Sequence, residues 1–165
     1  SPIYSERLLT LLPDNCLRYI TVHDNFYLKA EYDLAGIHLD DPNQEKPQGY
    51  KGRIGRTCKD LTTLPSLRKS SDYVFLKNIF DSIEFPSEHS SFNIKELEEA
   101  SSRSLIGKRV FAMGGMSLDT IKIAKDLGFG GVVICGDLWS KFNIHQQTDF
   151  KETLSYFSQL RKAIE

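Results

Sequence analysis

A chain of 165 residues, 40% hydrophobic and 26% charged, is long enough to form one domain around its own apolar core. Its formal net charge of -1 supplies no basic excess for a nucleic-acid backbone or an anionic membrane surface, and no apolar run approaches the roughly 20 residues of a membrane span. No charged-then-apolar leader opens the sequence, and Cys16, Cys58 and Cys135 lie beside apolar runs without metal-ligand or redox spacing. They read as reduced core residues, and the cytoplasm is the compartment expected.

The first pattern along the chain is helical. In SPIYSERLLTLLPD, residues Tyr4, Leu8, Leu11 and Leu12 share a face and Pro13 ends the run. LRYITV at 17–22 suits a strand, NFYLKAEY a short helix, and LAGIHL at 34–39 the next strand. A polar loop, DDPNQEKPQGYK, leads to a further strand in GRIGRT at 52–57. DLTTLPSLRKS starts a helix whose regularity is limited by Pro65. DYVFLKNIF, rich in aromatic and β-branched residues, is a strand. The loop DSIEFPSEHSSF after it is long for a βα connection and is a candidate active-site loop. NIKELEEASSR reads as a helix capped by Asn93, residues 108–113 as a strand, and LDTIKIAKDLG as a helix capped by Ser117 and closed by Gly128. After a last strand at 131–134, Phe150, Leu154, Phe157, Leu160 and Ile164 recur at helical spacing. His89 and His145 fall in loops expected to be exposed, and Trp139 is expected to pack the mouth of the fold against the final helix.

Strict alternation of strands and helices implies parallel strands with helices outside. Six strands in 165 residues have the density of a TIM (β/α)8-type barrel, which takes about 250 residues and at least ~200, with two of its strands lying outside this sequence. The chain is then one partial TIM-barrel domain over residues 1–165. A doubly wound open sheet satisfies the alternation too. Two segments, VFAMGGMSLDT and GGVVICGDLW, end an apolar run in glycine where the chain turns toward a helix. Such turns can leave backbone N–H groups open to an anion.

The succession ITVHDNFYLKAEYDLAGIHLDD, GRIGRTCK, DYVFLKNIFDS and RVFAMGGMSLDTIKIAKDLGFGGVVICGDLW resembles the thiamine phosphate synthase (thiamine-phosphate pyrophosphorylase) and thiazole tautomerase superfamily, a group of compact TIM barrels. The resemblance runs from about residue 4 to the C-terminus. Family members carry a strand, a helix and a second strand before that point, roughly forty residues of a complete barrel. The resemblance implies the coupling of hydroxymethylpyrimidine pyrophosphate to thiazole phosphate. Pyrophosphate leaves in a largely dissociative step, assisted by Mg²⁺ and cationic side chains. It implies phosphorylated small molecules as partners, with Gly114, Gly115 and Gly136 holding the thiazole phosphate. Thr57 and Ser82 would contact pyrophosphate, Lys77 would serve as a replacement cation, and His23 and His38 would bind substrate. Asp24 would hold metal, with Asp41 and Asn43 near the family's second carboxylate position.

The departures from the family pattern matter as much. HDN stands for Asn-Asp-Asp, so His23 replaces an amide and Asn25 an acid. The second metal carboxylate falls on Asn43, with Asp40 and Asp41 just before it, so Mg²⁺ would be held weakly. Lys59 stands where the tautomerase branch uses a His, which argues against that activity. KNIFDSIEF replaces GPxFPTxTK and puts Glu84 and Phe85 where a Thr and a Lys grip the pyrophosphate. The alternative expectation is therefore a phosphate-binding relative that has lost the pyrophosphate grip. A six-stranded arc would also present two open edges, to be covered by further strands or by another copy of the chain as a homo-oligomer.

Overall fold

In a computed structural model that describes residues 2–143, 145 and 150–165, six short segments pair side by side, all parallel and in chain order. They are β1 (Thr21–Val22), β2 (Gly36–Leu39), β3 (Arg53–Cys58), β4 (Tyr73–Lys77), β5 (Val110–Met113) and β6 (Gly131–Val133). Helices α1 (Pro2–Leu11) and α2 (Asp14–Leu17) precede β1. The crossovers are α3 (Tyr27–Glu31), α4 (Leu64–Ser70), α5 (Ile94–Ser102) and α6 (Leu118–Asp126), while β2 and β3 are joined by the polar loop alone. After β6 come α7 (Gly136–Trp139) and α8 (Lys151–Ile164). A doubly wound sheet reverses its strand order at a switch point; this sheet does not. It is a TIM-like half-barrel of six parallel strands, and among the described residues β1 and β6 each pair on one side only. No helix among the described residues is long and apolar enough to cross a membrane.

The period of two along each strand separates the face packed against the helices from the face on the concave side. Outward residues Cys58, Val74, Leu76, Val110 and Ala112 meet Leu64, Leu67, Leu97, Ala100 and Ala124 of the helices in the main core. Burying a side chain such as Leu76 contributes about 1.5–3 kcal/mol. Tyr73, Phe75 and Phe111 face the other way, and with Arg18, Tyr19 and Arg53 they help line a trough of about 460 Å³ on the concave side of the sheet. In a closed barrel this space is filled by layers of side chains.

Helix starts follow the expected caps. Asn93 Oδ1 accepts the Glu96 N–H while Glu96 accepts that of Asn93, and the Ser117 N–H donates to Thr120 Oγ1. Gly128 ends α6 with φ +81. Three expectations are corrected. The strand expected at 17–22 is helical up to Leu17, because Pro13 opens a new turn that Cys16 closes on it. Tyr4, Leu8 and Leu11 are exposed and Leu9 is the buried residue of α1, clustered with Leu28 and Leu34 at one end of the sheet. Cys135 is exposed and Cys16 only half-buried, so Cys58 alone of the cysteines lies in the core.

The far end shows the same pattern. Leu160 is buried in α8, but Leu154 is 62% exposed and Phe157 49%. Trp139 is also exposed, its ring meeting Phe142 at 5.9 Å rather than packing on the body of α8, and Phe142 stacks on Phe150 at the start of that helix. Open sheet edges flanked by apolar helix faces favour association. The 165-residue chain by itself is expected to show concentration-dependent association in sedimentation velocity, reduced by Leu8→Glu together with Leu154→Glu. A monomer at every concentration would contradict this.

Candidate functional site

All six strands run the same way, so their C-terminal ends share one rim. The residues there fall into two groups. The first is built around His38. Ile37 and Leu39 are buried on the outer side with Ile54, which turns His38 inward. There its side chain is fully buried, stacked on Phe75 and on His23 at centroid distances of 4.5 Å. The ring nitrogens are both engaged: Nδ1 lies 3.1 Å from the Tyr73 hydroxyl and Nε2 lies 2.9 Å from Thr57 Oγ1. Gly55 makes this possible, since a Cβ there would sit 2.0 Å from the Tyr73 ring. Asp40 takes His23 Nδ1 at 2.9 Å and lies 3.7 Å from His38 Nε2. Burial, and secondarily His23, lower the His38 pKa to about 4 against the opposing pull of Asp40. His38 is thus a neutral imidazole at physiological pH.

Asp24, Asp41 and Asn43 do not join this group. Asp24 Oδ1 accepts from the Asn25 amide, and Asp41 Oδ1 accepts the Asn43 N–H at 2.8 Å, so both close their own loops. Among the described residues, the metal-ligating side chains whose donor atoms gather within 4.8 Å of one another are His23, His38 and Asp40. Two imidazoles and a carboxylate do not fit Mg²⁺, which takes oxygen ligands in near-octahedral geometry.

The second group lines a cavity of about 150 Å³ at the ends of β4, β5 and β6, and brings together Lys77, Ser82, Gly114, Gly115 and Gly136. Gly114 and Gly115 have φ +102 and +64. A Cβ on Gly115 would lie 2.4 Å from the Asp81 carbonyl oxygen, and one on Gly136 would lie 2.9 Å from Glu84 Cβ. The glycines here admit the chain's own loop after β4, which folds down onto both turns. That loop also engages the expected pyrophosphate ligands. Ser82 Oγ accepts the Phe85 N–H, and Lys77 Nζ lies 3.4 Å from Glu88. Glu84, Glu88 and Asp137 line the same cavity. Cys135 Sγ donates to Glu84, and burial together with that carboxylate pushes the thiol pKa up. Asp137 accepts from the Tyr156 hydroxyl at 2.5 Å, which pins α8 to α7 and, after burial, is the main cause of a Tyr156 pKa raised to about 12.

Thr57 therefore bonds within the His38 group, whereas Lys77 and Ser82 line the second cavity. Tyr73 was not singled out from sequence, although the alternation of YVFLK puts it on the same face as Phe75 and Lys77. In the sequence Asp40 stands out only as one of two acids just before Asn43. His89 and His145 are exposed, as expected.

No protein-family model and no curated protein sequence matches the chain. Solved structures do. Thiamine phosphate pyrophosphorylase from Bacteroides thetaiotaomicron superposes with a TM-score of 0.87 at 36% identity, covering 99% of this chain and 78% of that one. The chain belongs to the thiamine phosphate pyrophosphorylase family. The thiamine phosphate pyrophosphorylase of Pyrococcus furiosus (TM-score 0.65, 17% identity, 87% of this chain and 66% of that one) shares the fold. So does a solved structure described as native KDPGal (TM-score 0.54, 21% identity, 81% and 60%).

Two outcomes follow from this geometry. Gly115→Ala is expected to destabilise the fold by about 2–4 kcal/mol in urea unfolding and to open the loop after β4 to proteolysis; an unchanged midpoint would show that the turn tolerates a side chain. The His38 pKa is lower in the folded chain than its ordinary 6.5, so the unfolded chain takes up the proton first. Stability present above about pH 6.5 is lost as the pH falls toward about 4. With a chelator present, urea midpoints should drop across that window, and drop less in His38→Asn.

Proposed function

We propose that the chain is a synthase-type transferase of thiamine biosynthesis, acting in the cytoplasm on phosphorylated small molecules. In this reading it couples hydroxymethylpyrimidine pyrophosphate to thiazole phosphate. The bond from the pyrimidine methylene carbon to the pyrophosphate oxygen breaks, and its electron pair leaves with pyrophosphate. The thiazole nitrogen then supplies the pair for the new C–N bond. The observation that carries the proposal is family membership at 36% identity over 99% of the chain. The glycine turns support it, since Gly114, Gly115 and Gly136 lie after β5 and β6, where TIM barrels commonly hold phosphate. Their backbone would hold the thiazole phosphate. Lys77, released from Glu88, would face the departing pyrophosphate together with Ser82, and Thr57 would contact it from the neighbouring strand.

A second reading is favoured by one observation: the cavity that holds Lys77 is also lined by Glu84, Glu88 and Asp137. Carboxylates repel a pyrophosphate. A relative that binds a phosphate monoester at the glycine turns without transferring to it fits that electrostatic balance.

Incubation with both substrates, followed by mass spectrometry for thiamine phosphate, tests the first reading. Lys77→Met should then lower turnover at least about tenfold while leaving thiazole phosphate binding measurable by calorimetry. Binding of thiazole phosphate with no product would establish the second reading, and binding of neither substrate would overturn both. If the acids are what weakens the pyrophosphate grip, Glu84→Gln with Glu88→Gln should raise pyrophosphate affinity by roughly fivefold or more.

A further inference from the structure

We infer that His23, His38 and Asp40 form a binding site for a divalent late first-row transition metal such as Zn²⁺. The inference rests on the donors and their support, and is independent of which thiamine-type substrate the chain takes. A tetrahedral site with bonds of about 2.0–2.1 Å needs donor atoms about 3.3 Å apart. Here His23 Nδ1 lies 2.9 Å from Asp40 Oδ2, and His38 Nε2 lies 3.7 Å from Asp40 Oδ1. All three residues bring a donor atom within 4.8 Å of the others. Imidazole nitrogen suits Zn²⁺, Co²⁺ or Ni²⁺, and two such donors with one carboxylate set the site apart from an all-oxygen Mg²⁺ cage.

The support around His38 is that of a ligand. A ligating imidazole is neutral and donates its second N–H to a group that fixes the ring. His38 is fully buried, Phe75 stacks on its ring, and the Tyr73 hydroxyl sits 3.1 Å from Nδ1. With the Nδ1–H given to Tyr73, the Nε2 lone pair points toward Thr57 and Asp40. Thr57 Oγ1, 2.9 Å from Nε2 and 3.5 Å from Asp40 Oδ1, lies at the edge of the same space. The His23 and His38 rings are stacked at 22° to each other, so His23 must turn to bring Nδ1 onto an ion. Its side chain is 49% exposed and that of Asp40 is 62% exposed, which leaves both the freedom to do so and leaves the ion open to solvent on one side. An open position is where a phosphate oxygen or water would bind.

The test uses the purified full chain, stripped with a chelator and then titrated with Zn²⁺ against a chromophoric competitor in millimolar Mg²⁺. Co²⁺ is titrated in parallel for its visible absorption. The expected result is one Zn²⁺ per chain, undisturbed by Mg²⁺, with affinity reduced roughly 30-fold or more in His23→Ala and in Asp40→Ala. Both variants alter exposed side chains and should keep the wild-type circular dichroism. His89→Ala, which removes the exposed imidazole near Asp81, should bind as wild type. Absence of stoichiometric uptake, displacement by Mg²⁺, or an equal loss in His89→Ala would each overturn the site.

Discussion

Ile37 and Leu39 are fully buried on the outer side of the sheet, and the pleat of a strand then leaves His38 no place but the inner side. The same constraint operates along every neighbour in register. Burying Cys58, Val74 and Leu76 against the helices sets Thr57, Tyr73, Phe75 and Lys77 on the concave face. A slip of one residue in any strand would exchange the two sets and expose the core. The side of the sheet on which each of these residues lies is therefore inherited from the hydrophobic face, and their contacts with one another then fix the rings.

The rim that results is chemically divided. Around β1, β2 and β3 it is rich in imidazole and hydroxyl groups, and a neutral buried histidine is held by partners on two other strands. Around β4, β5 and β6 it consists of glycine turns covered by a loop with several carboxylates. Family membership and local electrostatics pull in different directions at this second half. Gly114 and Gly115 hold the positive φ of a tight turn, while Glu84 and Glu88 line the same cavity. The loop also uses the glycines for its own close packing. The nearest atoms to a Cβ added at Gly115 or Gly136 belong to that loop.

The two ends of the sheet have a common physical character. α1 and α8 each bury a single leucine, Leu9 and Leu160, and leave the rest of their apolar stripes exposed. Between them the concave trough is lined by Tyr73, Phe75 and Phe111 and stays open. Amphipathic spacing shows that a helix has an apolar face, but it does not show whether anything lies against it.

What the sequence by itself determined was the order of the six strands and of the longer helices, though not the short helices α2 and α7, since period-two alternation, caps at Asn93 and Ser117, and the glycine closing α6 are local physics. It also carried the family, through GIHL and the paired glycine turns. It misplaced the start of β1, because the turn opened by Pro13 outweighs the β-branched residues just after it. Only the tertiary structure decided which candidates meet. Asp40 rather than Asp24 or Asp41 faces the histidines, Tyr73 reaches His38 across Gly55, and the loop after β4 closes over Gly115 and Gly136. These contacts join residues far apart in the chain, and their distances depend on strand register and loop path, which no local pattern of residues encodes.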